Sequence, residues 1–176
     1  MRSSMKLFFF LLTSVIVIFV LLYPHIHPSS RTASPSITST LPHTVVGYVA
    51  LAKQDAQRAG IDATVFVHQI TQESDWNPNA VSPAGAIGIA QFMPETAKAL
   101  GVNPHDPVSS LQGAVKLMAA LYHGYGNSYA KALAAYNAGA HSVNEAIANG
   151  GASWLDLLPL ETQNYVKIIL NGTGEA

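Results

Sequence analysis

The 176-residue chain contains no cysteine. Disulfides, thiolate metal sites and a lipidated N-terminal cysteine are thereby excluded, although the absence by itself assigns no compartment. Charge is scarce as well, with nine basic against ten acidic residues and a formal net charge of −1. Two of the basic residues, Arg2 and Lys6, precede an apolar run, so the remainder is mildly acidic. No basic stripe and no interleaving of aromatic with basic residues runs through it, which argues against nucleic-acid binding. The seven histidines, His25, His27, His43, His68, His105, His123 and His141, show no His-Glu-x-x-His or comparable ligand spacing, so no catalytic metal is expected. No long apolar-polar alternation points to a sheet, and there is no internal repeat.

What is present divides into three parts. Hydrophobic residues make up 49% of the chain, enough for a core, but many fall in the first two dozen positions. Leu7 to Tyr23 is a run of seventeen residues without a charge, closed by Pro24. As a helix it would span roughly 25 Å, slightly less than a ~30 Å hydrocarbon core but within the range of spanning helices. The run exceeds a usual signal-peptide core and no small-x-small cleavage site follows it directly, which favours an uncleaved anchor over a removable export signal. The positive-inside rule places the N-terminus in the cytoplasm and everything after Tyr23 outside. Pro28 to Pro42 is rich in Pro, Ser and Thr and has too little apolar content to offset the entropy of ordering, so it reads as a flexible tether reaching at most ~50 Å. The expected division is an anchor or signal segment over 1–27, a linker over 28–43 and one domain over 44–176.

From Thr44 the pattern is helical, and the expected fold class is mainly α. Val45, Val46, Tyr48, Val49 and Ala52 suit a first helix ending near Gly60. Asp62 can cap a second, with Val65, Phe66 and Ile70 at helical spacing and Glu73 near its end, before Asn77-Pro78 stops it. Pro94 opens a helix that Gly101 closes. Asp106-Pro107 starts a core helix through Leu111, Val115, Leu117, Met118 and Leu121. Ser128 leads into Ala130 to Tyr136, ended by Gly139; Val143 to Ile147 follows; Pro159 starts a last helix to Gly172.

The segment richest in chemistry is His68-Gln69-Ile70-Thr71-Gln72-Glu73-Ser74-Asp75-Trp76-Asn77-Pro78, followed by Ser82-Pro83-Ala84-Gly85-Ala86-Ile87-Gly88-Ile89-Ala90-Gln91. It puts a carboxylate where a core helix runs out, beside a segment whose glycines allow tight turns or a close approach to a ligand. Taken alone, an acid near a helix end is usually just solvated. Ser82 before Pro83 suits a turn cap, Tyr136 at helical spacing from Leu133 suits a core position, and Met93 and Trp76 suit packing. His68, five residues before Glu73, reads as a half-exposed helix residue rather than a catalytic partner.

The full string weighs differently. Gln72-Glu73-Ser74-x-Trp76-Asn77-Pro78, then Ser82-Pro83-x-Gly85-Ala86-x-Gly88-x-x-Gln91-x-Met93-Pro94-x-Thr96-Ala97, resembles the soluble-lytic-transglycosylase family of lysozyme-like enzymes that cleave bacterial peptidoglycan. Ala135-Tyr136-Asn137-Ala138-Gly139 and Pro159-Leu160-Glu161-Thr162-Gln163-Asn164-Tyr165-Val166 extend the resemblance in the family's order. It implies a lysozyme-like multi-helix domain with a catalytic cleft, no cofactor, and peptidoglycan glycan strands as partner. Glu73 matches the family's catalytic acid/base and Ser74 completes its Glu-Ser pair. Ser82, Gln91, Met93, Tyr136, Asn137 and Tyr165 match residues lining the sugar cleft or close to the acid, and Glu161 a structural glutamate. One departure stands out: many members carry Gly-Leu-Met-Gln where this chain has Gly88-Ile89-Ala90-Gln91, which makes one cleft wall smaller.

Cleavage of a β-1,4 glycosidic bond needs a proton for the leaving oxygen and stabilisation of an oxocarbenium-like centre, and hydrolases usually pair two carboxylates for it. Asp75 is the only acidic neighbour, and residues two apart on a helix point roughly 200° apart, an objection that weakens if the helix ends first. A single carboxylate is what the resemblance implies, acting as acid and then as base towards the C6 hydroxyl of N-acetylmuramic acid and leaving a 1,6-anhydro end. A hydrolytic muramidase on the same fold and a non-catalytic glycan-binding or assembly module remain open alternatives. An apolar cleft wall would raise the Glu73 pKa above the usual ~4.3.

Overall fold

A computed structural model describes residues 44–173. The apolar run Leu7 to Tyr23 and the tether Pro28 to Pro42 lie outside the described residues. Within those described, no helix is long and apolar enough to cross a membrane.

Each helix begins where local chemistry provides for its free amides. Helix α1 (Val45–Arg58) is capped by Thr44, whose hydroxyl accepts from the Gly47 amide. Helix α2 (Ala63–Ser74) is capped by Asp62, whose carboxylate accepts from the amides of Thr64 and Val65 at 2.6 and 3.0 Å. Helix α3 (Pro94–Leu100) opens on the proline and closes at Gly101 in the left-handed region, φ 64°. Helix α4 (Pro107–Gly124) repeats the Asp-Pro start, with Asp106 accepting from Val108 and Ser109. Helix α5 (Tyr129–Ala138) is capped by Ser128, α6 (Ala140–Gly150) follows directly, and α7 (Leu160–Thr173) ends the described chain. These starts agree with the cap and proline signals in the sequence.

Two local features depart from the sequence expectation. A 3-10 helix, Gly151–Leu157, fills the connection between α6 and α7 and packs on both. Helix α2 ends before Asn77-Pro78 is reached: Asp75 and Trp76 both take left-handed conformations, φ 50° and 64°. Non-glycine residues there cost about 1–3 kcal/mol each and persist only where the surroundings over-determine them. Here Trp76 is buried, and its indole N–H donates to the Thr71 hydroxyl at 2.9 Å.

The core is continuous through Phe66 and Ile70 of α2, Leu111 and Met118 of α4, Leu133 of α5 and Ile169 of α7, all fully buried. Each such side chain contributes about 1.5–3 kcal/mol through removal of apolar surface from water. Helix α5 is buried on most sides by α4, α6 and α7, and its Ala132, Ala134, Ala135 and Ala138 are small enough to let the neighbours close in.

The stretch between α2 and α3 has no strand, only isolated antiparallel bridges that pair Val81 with Ile87 and Ile87 with Phe92. Gly88 sits at its pinch point. Its φ is +77°, its amide donates to the Ala80 carbonyl at 2.8 Å, and a Cβ there would lie 2.0 Å from the Pro104 carbonyl oxygen. On α7, Gly172 leaves room for the His68 ring, whose Nδ1 would lie 2.2 Å from a Cβ. That half-buried histidine therefore packs against α7.

Two substitutions test these constraints in chemical denaturation at unchanged m-value. Asp62→Ala should cost about 1 kcal/mol for the lost cap. Gly88→Ala should cost more than about 2 kcal/mol, because strain and a backbone clash combine.

Candidate active site

Glu73 lies in the last turn of α2, where three other parts of the fold meet it. From α7 comes Tyr165, only 6% exposed, whose hydroxyl donates to Glu73 Oε1 at 2.5 Å. From α5 comes Tyr136, whose hydroxyl donates to the Ala90 carbonyl at 3.0 Å and whose ring centroid lies 6.1 Å from that of Phe92. The third part is the irregular segment after α2, fastened by the Ser74 hydroxyl donating to the Ile89 carbonyl at 2.7 Å. The glutamate is partly buried, and burial pushes its carboxyl up to about 7, against a smaller downward pull from the Tyr165 hydrogen bond. Both tyrosine hydroxyls are themselves held well above the ordinary phenol range, first by burial and next by the neighbouring Glu73 charge. They are therefore neutral donors at any ordinary pH. The raised carboxyl agrees with the apolar wall expected from the sequence.

The other sequence candidates take varied positions. Ser82 accepts from the Ala86 amide at 3.0 Å and shapes a turn. Gln91, left-handed at φ 49°, donates its side-chain amide to the carbonyls of Gly88 and Ala80 at 2.8 and 3.2 Å. Met93 is the half-buried residue before α3. Asn137, next to Tyr136, accepts from the Thr162 hydroxyl at 2.8 Å and so ties α5 to α7. Asp75, the one acid adjacent in sequence, is exposed and already beyond the helix.

Sequence reasoning passed over Gln69. It is fully buried one helical turn before Glu73, and a polar residue between Phe66 and Ile70 on the apolar face was the signal that could have marked it.

Chemically, the arrangement is a carboxylic acid at the end of a core helix, half protonated near neutrality, whose ionisation is set by burial and by a phenol hydrogen bond. It can give a proton to a basic oxygen and take one back at a pH near neutrality. Residues 50–154 match the family described as "Transglycosylase SLT domain". The chain belongs to the transglycosylase SLT family.

Membrane-bound lytic murein transglycosylase F of Stutzerimonas stutzeri (strain A1501) is 30% identical over 141 residues, covering 76% of this chain and 29% of that protein. Soluble lytic murein transglycosylase of Escherichia coli (strain K12) is 32% identical over 116 residues, 56% of this chain and 18% of that one. The solved 70 kDa soluble lytic transglycosylase SLT70 of Escherichia coli superposes with a TM-score of 0.64 at 27% identity, covering 77% of this chain and 24% of that chain. The chain thus spans less than a third of the length of each of these relatives. Within the SLT domain, Glu73, Ser74, Gln91, Tyr136 and Asn137 fall inside the matched residues 50–154, whereas Tyr165 lies beyond them and reaches the acid by way of α7.

The raised Glu73 pKa has a consequence for stability. The unfolded chain ionises this group near 4.5 and the folded one at about 7, so the folded state holds the proton more tightly. Its stabilising contribution is complete below about 4.5 and is lost as pH rises through about 7. Glu73→Gln, which keeps the shape without the charge, should be about 1–3 kcal/mol more stable than the wild type at pH 8 and nearly equal to it at pH 4. Thermal melts across that range measure the difference.

Proposed function

We propose that this SLT domain cleaves the β-1,4 bond between N-acetylmuramic acid and N-acetylglucosamine in peptidoglycan, as a lytic transglycosylase. The observation that carries the reading is a single part-buried carboxyl, held near 7 and bonded to Tyr165, with Asp75 exposed past the helix end. The names of the relatives, lytic murein transglycosylases, support the substrate class.

In this reading Glu73 gives its proton to the glycosidic oxygen as the bond from that oxygen to C1 of N-acetylmuramic acid breaks. The carboxylate left behind takes the proton of that sugar's C6 hydroxyl, and the oxygen closes on C1 to give the 1,6-anhydro ring. The nucleophile is the substrate's own hydroxyl, so no second carboxylate is needed to activate water. Tyr165 stabilises the carboxylate between the two steps. Tyr136 and Asn137 form the cleft floor for the N-acetyl group, and Ser82, Gln91 and Met93 line the sugar path. Ser74, Ser82 and Gln91 would act largely through the backbone they hold, since their hydrogen bonds go to loop amides and carbonyls. Such an enzyme acts outside the cytoplasm, and the apolar run Leu7 to Tyr23 would hold it at the membrane face by the tether that follows.

Mass spectrometry of peptidoglycan incubated with the purified chain, beside Glu73→Gln, tests the reading. Expected are muropeptides ending in 1,6-anhydro-N-acetylmuramic acid, with the rate lowered by about 100-fold or more in the variant. Reducing ends would move the assignment to a hydrolytic muramidase, and no product from either protein would favour a glycan-binding module. Because the proton donor must be protonated, the rate should fall as pH rises through about 7. A pH-rate profile with no limb in that region would count against Glu73 as the acid.

A further inference from the structure

Gln69 is fully buried, and neither its side-chain nitrogen nor its side-chain oxygen has a hydrogen-bond partner among the described residues. Burying an unpaired amide is unfavourable, and an apolar side chain of the same shape would avoid that cost. Its position gives the amide a use. Gln69 lies four residues before Glu73 on α2, so both project from one helical face, and that face packs against α7, which carries Tyr165.

The hydroxyl of Tyr165 has its proton committed to Glu73 Oε1, which leaves its oxygen lone pairs free to accept. The Gln69 amide is near enough to that hydroxyl to favour its ionised form, although no hydrogen bond of good geometry joins the two. The terminal amide turns about a broad and soft torsion, so its N–H is free to be aimed at that oxygen.

We propose that Gln69 is a positioning residue for the acid: its amide N–H donates to the Tyr165 hydroxyl oxygen, completing a chain from Gln69 through Tyr165 to Glu73. A donor on the phenol oxygen polarises the O–H, so Tyr165 becomes a better donor to the carboxylate. The chain therefore favours the Glu73 anion that forms once the proton has left, and it fixes the direction in which the phenol points. The titratable groups facing Glu73 are Tyr165 from α7 and Tyr136 from α5; the irregular segment packed against the site brings the Ile89 and Ala90 carbonyls, each already accepting a hydrogen bond. Among the described residues Tyr165 is the one whose side chain hydrogen-bonds the carboxyl, so the influence of Gln69 passes through it.

The inference rests on Glu73 being the acid, and its test keeps the two apart. The Glu73 pKa is read by carbon-13 NMR of the side-chain carboxyl in the full chain, for the wild type, Gln69→Met, Tyr165→Phe and the double variant, with pH-rate profiles and thermal melts alongside. Gln69→Met should raise the Glu73 pKa by about 0.3–0.5 in the Tyr165 background, leave it unchanged in the Tyr165→Phe background, and lower kcat several-fold with KM little altered. Its melting temperature should be close to that of the wild type, because the lost bond to Tyr165 is offset by removal of the buried side-chain oxygen that the chain leaves unpaired. Equal shifts in both backgrounds, or no shift in either, would overturn the proposal. So would loss of the fold in both Gln69→Met and Gln69→Leu, which would assign the amide a structural partner. Should the wild type show no turnover, the function reading fails, while the NMR titration still decides whether Gln69 acts on Glu73 through Tyr165.

Discussion

The desolvation of one carboxyl, opposed by one hydrogen bond, is the interaction around which this domain is arranged. Glu73 rises from an ordinary value near 4.5 to about 7 because burial disfavours its anion more than the Tyr165 hydroxyl favours it. The net effect corresponds to about 3 kcal/mol against the charged form. That balance requires a wall on each side of the group: α2 carries it, α7 supplies the phenol, α5 supplies Tyr136, and the segment after α2 closes the remainder. If any of these walls opened to water, the desolvation would fall and the acid would ionise near its ordinary pKa.

The strain at the end of α2 follows from the same requirement. A helix that continued past Ser74 would carry the chain away from the site; the left-handed turn at Asp75 and Trp76 folds it back, so that Ile89 and Ala90 lie against Ser74 and Tyr136. The two strained residues are held by the burial of Trp76 and its bond to Thr71, and by the turns built on Ser82, Gly88 and Gln91. Several of the polar side chains around Glu73 are thus committed to backbone. Their hydrogen bonds tie an irregular segment together and to the end of α2, which would help hold a proton donor at a constant distance from its substrate.

Helix starts were legible in the sequence because their causes are local. Asp62, Pro94, Asp106-Pro107 and Ser128 each provide for amides two or three residues away, and the structure uses each of them as a cap or first residue. The end of α2 was less legible, since Asn77-Pro78 is a strong stop signal while the left-handed pair before it depends on where Trp76 is buried, a tertiary fact. The 3-10 helix at Gly151–Leu157 has no strong cap or periodicity and was missed for the same reason. In the site, the motif singled out Glu73, Tyr136 and Tyr165, but residue spacing carries no hydrogen-bond direction. That Ser74 and Gln91 donate to loop carbonyls, that Asn137 accepts from Thr162, and that Tyr165 reaches across 92 positions to Glu73 required coordinates. Gln69 was hidden for a different reason: one polar residue on an apolar helix face is a weak signal until its partners are known to be missing.

The size of the Glu73 shift, from 4.5 to about 7, bears directly on the proposed one-acid chemistry. A glutamate at 4.5 would be protonated in about one molecule in 300 at pH 7, too rarely to serve as a donor, and its anion would be too weak a base to take a hydroxyl proton readily. Held at about 7, the same group is protonated roughly half the time at neutral pH, and its conjugate base is stronger by the same factor. One residue then has the protonation states that both halves of the proposed intramolecular displacement would need. A hydrolase uses a second carboxylate to position water or to trap the sugar, whereas the proposed reaction asks for none; Asp75 is exposed and lies beyond the helix end. In the proposed reaction the burial that raises the acid would also disfavour competing water, so a single physical cause, desolvation, would serve both the proton transfer and the choice of nucleophile.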